Sequence, residues 1–263
     1  MTVHLYAQCW NDEWMLPFFF RHYDPLVDRY FIYDDGSTDA TLALLRSHPK
    51  VAVRRFERSD PHSFVLSEQA FSNACWKEST GRADWVIVTD IDEHLYHPAW
   101  QGYLRHCRDR GISAIPALGF QMISEQRPRP GQNLCQEYRL GAPWAKMLKL
   151  SIFDPNAITE INFATGRHRA DPTGRIALPA SDEMLLFHYK YMGLAETHQR
   201  HLQLRQGLGA TDIAKSYGTK YSWPEEELKA DWQAVAGNAV DTAALDNPKA
   251  HFSKPPWWEK YRR

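Results

Sequence analysis

The stretch WVIVTDIDEHL, Trp85–Leu95, decides how this chain folds. Its first four residues, Trp85–Val88, are apolar and β-favouring, so they make a strand of the interior, and that strand delivers Asp90 and Asp92 at its carboxyl end. A buried run that ends in two acids is costly unless the charge is solvated, paired or bound to a cation. Side chains alternate along a strand, so Asp90 and Asp92 point to one side if the strand continues. Hard cations such as Mg²⁺ or Mn²⁺ prefer oxygen ligands of that kind. An Asp-rich turn capping the next element, near Pro98, is the plainer alternative.

Upstream, YFIYDDGSTDAT (Tyr30–Thr41) repeats the pattern: an apolar strand ends in Asp34 and Asp35, Gly36 allows a tight turn, and Ser37, Thr38 or Asp39 can cap a helix. A carboxylate there can accept a hydrogen bond from a pyrimidine N–H or a ribose hydroxyl. Around these two stretches the chain alternates. Strands are predicted at Val3–Cys9, Arg29–Tyr33, Val51–Phe56, Trp85–Thr89 and Ile112–Phe120. Helices are predicted from Asn11 or Asp12 through Asp28, from Asp39 through Ser47, and over Ser63–Ser79 to Gly81. The alternation predicts an α/β fold, a mixed, mainly parallel sheet flanked by helices, with several strand carboxyl ends at one ligand-binding edge. Past Phe120 the pattern is less regular: a surface loop at Ser124–Gly131, apolar runs at Met147–Phe153 and Met184–Tyr191, and helices at Ala195–Gly207 and Pro224–Ala236.

The 263 residues can bury a sizeable core, and 31 basic against 32 acidic residues leave no chain-wide field for nucleic acid or an anionic membrane. The four cysteines, Cys9, Cys75, Cys107 and Cys135, have no paired spacing of a zinc knuckle or redox couple and read as reduced thiols. The first residues lack the basic start and apolar run of a signal peptide, which predicts a cytoplasmic protein. The final KPPWWEKYRR reads as packed on its own domain, with peripheral docking on a partner or the inner face of the membrane as the alternative.

The two aspartate pairs together resemble the nucleotide-diphospho-sugar glycosyltransferases of the A-type fold, in particular the bacterial family-2-like branch that begins with an Asn-Asp/Glu pair. The resemblance covers residues 3–98 and runs more loosely into Lys146, Lys149, Gly166-Arg167-His168 and Phe187-His188-Tyr189-Lys190. It implies a nucleotide-sugar-binding, Rossmann-like half over 1–120. Residues 121–263 then supply an acceptor-binding region and C-terminal helices of the same catalytic domain. Ala7, Gln8 and Asn11 are implied as donor contacts, Asp34, Asp35 and Gly36 as the base-binding turn, and Asp90-Ile91-Asp92 as the Asp-x-Asp signature, with Glu93 completing an Asp-x-Asp-Glu form. Asp92 is the expected catalytic metal carrier, Asp90 its companion, and His188 a third metal ligand. Lys149 and His168 are expected at the donor, His168 serving the acceptor in the alternative, and Arg167 and Lys190 are further cations.

The expected reaction moves a sugar from a nucleotide-diphosphate donor to a glycan or other hydroxyl acceptor, in surface polysaccharide synthesis, with Mn²⁺ or Mg²⁺ stabilising the leaving diphosphate. Trp144, Tyr189 or Tyr191 can stack on an acceptor ring. No Glu-Asp pair marks a general base, so Glu125, Asp182 and Glu183 stand as candidates, and inversion or retention stays open. A haloacid-dehalogenase-type phosphatase also ends a strand in Asp-x-Asp, but normally after its first strand rather than about its fourth. A non-catalytic sugar or nucleotide binder of the same fold is the other alternative.

Overall fold

The computed structural model describes residues 1–262. Strands β1 (Val3–Cys9), β2 (Arg29–Asp34), β3 (Val51–Arg55) and β4 (Trp85–Val88) lie in the order β3-β2-β1-β4, all parallel. Helices α1 (Leu16–Tyr23), α2 (Thr41–Ser47) and α3 (Phe64–Ala74) make the connections. After β5 (Glu93–Tyr96) and α4 (Trp100–Asp109), β6 (Ala114–Ser124) rejoins the sheet. Next come α5 (Leu134–Glu137), β7 (Leu140–Pro143) and β8 (Lys149–Phe153), and β8 inserts between β4 and β6, antiparallel to both. A small pair, β9 (Ile158–Glu160) and β10 (Thr173–Gly174), stands apart. Then β11 (Met184–Met192) pairs parallel with β6 and antiparallel with β5. The chain continues through α6 (Leu194–Gln206), α7 (Ala210–Ala214), α8 (Glu225–Gly237) and β12 (Val240–Asp241), which extends the sheet beyond β7.

Because β8 is antiparallel to both neighbours, β6 and β11 regain the direction of β4, and the carboxyl ends of β1, β2, β4, β6 and β11 reach one edge. The sheet is therefore the expected mixed one, with its parallel run in the first half. Every residue of β4 and β8 is buried, as central strands demand. Strand β6 runs on to Ser124, so residue 120 falls inside a strand and both halves of the chain share one sheet.

Two expected helices are shorter than the sequence suggests. The first starts only at Leu16, because residues 11–12 are tied to the next loop before a helix can begin. Asn11 takes a left-handed φ of 52°, its N–H donates to Ser37 Oγ at 2.8 Å, and its Oδ1 accepts from the Thr38 N–H at 2.7 Å. It ends at Tyr23, just before Pro25. The helix expected over Ser63–Ser79 is α-helical to Ala74 and a 3₁₀ turn from Cys75 to Ser79. Residues 254–262 of the C-terminal segment pack on the rest of the chain, and Arg263 lies outside the described residues. Trp258 is fully buried, its indole N–H donates to Asp182 at 3.0 Å, and that of Trp257 donates to the Leu148 carbonyl at 2.8 Å. No helix among the described residues is long and apolar enough to cross a membrane.

Candidate active site

Strand β4 stops at Val88 and the chain turns at once, with the Glu93 N–H donating to the Asp90 carbonyl at 3.1 Å. Asp90 and Asp92 thus sit on a turn, not on a continuing strand, and their carboxylates go to different partners. The cause is β11. It pairs antiparallel with β5, Glu93 opposite His188, and the Tyr189 N–H reaches the Asp92 carbonyl at 2.8 Å, folding the acidic turn back over the edge of the sheet.

Asp90 is gripped by Arg167, whose two terminal nitrogens each lie 3.0 Å from a carboxylate oxygen. The same guanidinium reaches Glu93 at 2.9 Å and Glu68, on α3, at 3.3 Å, while Lys149, at the start of β8, ion-pairs with the other Glu93 oxygen. Glu93, Lys149 and Arg167 are buried, so each charge depends on its partners. Burial works against ionisation of Glu93, but Lys149 and Arg167 hold its carboxyl well below the usual range; burial pushes Glu68 up, with Arg167 opposing. Gly166 and Arg167 both take left-handed backbone, φ 65° and 54°, which aims the guanidinium inward. At an arginine that conformation costs about 1–3 kcal/mol, borne by the three carboxylates.

Asp92 takes no part in this network. Its carboxylate lies 3.5 Å from His188 Nε2. The other ring nitrogen, Nδ1, is 2.7 Å from Gln121 Oε1, and the Gln121 amide is oriented by geometry, since its nitrogen donates to two carbonyls, Met122 at 3.0 Å and His188 at 3.1 Å. Only its oxygen remains for His188, so Nδ1 of the neutral ring carries the proton and the Nε2 lone pair faces Asp92. Burial opposes the Asp92 charge, and against it a protonated His188, donating from Nε2 in place of the lone pair, and Lys190 hold the carboxyl below the ordinary range, so a cation and that proton would occupy the same position. A carboxylate and an imidazole lone pair facing each other at this distance, with a carbonyl oxygen behind the ring, form a donor set that fits a divalent cation.

Gln8, Asp90, Ile91, Asp92, Lys149, His168 and His188 line one cavity of about 410 Å³, together with Trp144, Lys190 and Tyr191. Asp34, Asp35 and Gly36 line a different cleft, and Asn11 lines a third cavity that shares Asp92 and Asp12. The Asp34 carboxylate accepts from the Gly36 and Ser37 N–H groups at 3.0 and 3.1 Å, and Asp35 pairs with Arg58 at 2.7 Å. Ala7 is buried within β1. Glu125 and Glu183 are exposed and Asp182 is held by Arg262 and Lys249; none of the three lines the cavity. Sequence reasoning passed over Glu68, Gln121, Arg200 and Lys220, all on its wall. Arg200, on α6, bonds Asp12 at 2.7 Å and the Trp10 and Asn11 carbonyls, fastening the first loop. Burial raises Asp12 to about 6 against the pull of that arginine. Gln121 carried no local signal; Asp12, beside Asn11, did.

The carboxyl edge of the mixed α/β sheet thus gathers acids, a paired histidine and cations around an open cavity. The profile of glycosyltransferase family 92 matches residues 8–222, and the chain belongs to that family. No curated protein matches the chain. Among solved structures it is similar to Staphylococcus aureus TarS at 12% identity and TM-score 0.40, over 89% of this chain and 43% of that one. A TarS 1–349 structure gives 11% identity and TM-score 0.36, over 96% and 73% of the two chains. Mycobacterium tuberculosis glucosyl-3-phosphoglycerate synthase, solved with Mn²⁺, UDP and glucosyl-3-phosphoglycerate, gives 20% identity and TM-score 0.37, over 64% and 62%. The chain spans less than half the length of the longer TarS chain. Family membership sets the phosphatase reading aside.

Proposed function

We propose that the cavity at Asp92 transfers a sugar from a nucleotide-diphosphate donor to a hydroxyl of a glycan or similar acceptor, with Mn²⁺ or Mg²⁺ held by Asp92 and His188. The observation that carries this is the Gln121–His188–Asp92 relay: a glutamine amide with its orientation forced, a histidine with its lone pair forced, and a carboxylate 3.5 Å in front of it. When bound, such a cation supplies Lewis-acid stabilisation for the departing diphosphate. Lys190, whose ammonium donates to the Tyr221 hydroxyl at 3.0 Å, adds positive charge in the same cavity. Asp90 serves as the Arg167-braced wall rather than as an equal second ligand. Gln8 and Asp12 lie on the wall formed by the first strand and its loop, and the nucleoside rests there.

The acceptor enters beyond Trp144 and Tyr191. These side chains line both the Asp92 cavity and an adjoining one of about 460 Å³, and offer ring faces to a sugar. A surface glycan is the acceptor class that the sequence resemblance implies. The reading is tested by binding and slow hydrolysis of a panel of nucleotide sugars with and without Mn²⁺, wild type against Asp92→Ala. We expect metal-dependent turnover to fall at least about 100-fold in the variant. Full metal-dependent transfer by a folded Asp92→Ala protein would refute it.

A further inference from the structure

A second group of ligating side chains lies outside the cavity, where α1, β5, α5 and β11 meet. His22 of α1, His94 of β5 and Cys135 of α5 each place a ligand atom so that all three lie within 4.8 Å of one another. His94 is fully buried, and neither of its ring nitrogens has a hydrogen-bond partner. The Tyr189 hydroxyl, on β11, is buried beside the Cys135 thiol, with its ring centroid 5.1 Å from that of His94. A buried imidazole with no close partner for either ring nitrogen, set beside a thiol, a phenol and a second imidazole, is costly to leave as it stands. Such a concentration calls for an occupant.

The His22 ring is already set for one. Its Nε2 donates to the Leu95 carbonyl at 2.7 Å, so Nδ1 carries the lone pair, which accepts from the Cys135 thiol at 3.5 Å. With metal–nitrogen and metal–sulfur bonds of about 2.0 and 2.3 Å, that separation is close to one edge of a zinc tetrahedron.

We propose that Zn²⁺ binds here, held by His22 Nδ1, a ring nitrogen of His94 and the Cys135 thiolate, with the Tyr189 hydroxyl or a water as fourth ligand. The two imidazoles stack nearly parallel, centroids 4.7 Å apart, so binding turns the His94 ring to bring a lone pair onto the metal. That turn gives up at most a long contact to the Ile91 backbone. Binding replaces the thiol proton, which leaves to solvent, and two imidazoles with one thiolate select zinc over Mg²⁺ or Mn²⁺. The site is separate from Asp92 and His188, yet β5 and β11 carry residues of both. Zinc would therefore clip α5 to the two strands that shape the acidic turn.

The test uses full-length protein stripped with chelator and then titrated with Co²⁺ and Zn²⁺. We expect a sulfur-to-cobalt charge-transfer band that saturates at about one equivalent and is bleached by Zn²⁺. Cys135→Ser and His94→Leu should lose the band, whereas Cys75→Ser and Asp92→Asn should keep it. If Cys135→Ser does not fold, the wild type still decides: Zn²⁺ should slow alkylation of Cys135 at least about tenfold, read by peptide mass mapping. No thiolate band, a band that survives in folded Cys135→Ser or disappears in Asp92→Asn, or no protection of Cys135 would each overturn the proposal.

Discussion

Gln121, on the cavity wall, acts through His188. It accepts from His188 Nδ1, and by doing so decides which nitrogen of that ring is free. Gln121→Leu should leave Asp92 and His188 in place but release the tautomer, weakening Mn²⁺ affinity about 10- to 100-fold, measured by calorimetric titration. Unchanged affinity would mean that the glutamine only fills space. Arg167 serves stability as well as the site, since three carboxylates depend on one buried guanidinium. Arg167→Met should cost about 3–5 kcal/mol in denaturant unfolding, because it strands buried acids; a cost below about 1 kcal/mol would show that water already reaches them.

At the scale of elements, the cavity owes its walls to contacts between segments remote in sequence. Asp212, fully buried on α7, takes the hydroxyl of Ser63, the Phe64 N–H at 2.7 Å and the Gly209 N–H at 2.9 Å. It thereby joins the start of α3, which carries Glu68, to the segment that supplies Gly218, Lys220 and Tyr221 to the cavity wall. Asp212→Ala should cost about 3 kcal/mol and speed amide exchange at Phe64–Ser67 before it affects the sheet. Uniform loss of protection across β1 and β4 would argue instead that the variant unfolds globally. Strands β5 and β11 act as a pair in the same way: their register, Glu93 opposite His188, brings Asp92 and His188 together.

For the whole molecule the buried histidines dominate the response to acid. Burial pushes His22 down to about 4 and His201 to about 3, and drives His94 well below its ordinary value. A histidine with a lowered folded pKa stays neutral while the unfolded chain takes up a proton near 6.5. The stability from its neutral burial is therefore complete above about pH 6.5 and is lost as pH falls toward 4. The slope is at most about 1.4 kcal/mol per pH unit for each ring. The melting temperature should decline from pH 7 to pH 5, and His201→Gln should flatten that decline. A curve level over this range, or one unaltered by the substitution, would contradict the burial assignment.

Local chemistry alone marked the long buried strands and the helices α1, α2, α3, α6 and α8, but not α4, α5, α7 or the short strands β5, β7, β9, β10 and β12. Trp85–Val88 is too apolar to lie anywhere but the interior, Pro and Gly mark where elements stop, and alternation of the two periodicities specifies helices around a sheet, with the acidic turns at strand ends. Local chemistry singled out Asp92, whereas His188, 3.5 Å from it, came from the family resemblance. The local reading overran at Asn11 and Ser63–Ser79, where side chains of the next loop and a tightened last turn overrode helical composition. Which acids would be free and which already paired belonged to the tertiary structure. Asp90 and Asp92 are two residues apart and equivalent by pattern, yet Arg167, 77 residues further on, takes one and His188 the other. The role of Gln121 and the meeting of His22, His94 and Cys135 are of the same kind. Each depends on which strand lies beside which, and the insertion of β8 between β4 and β6, which no local pattern encodes, sets that order.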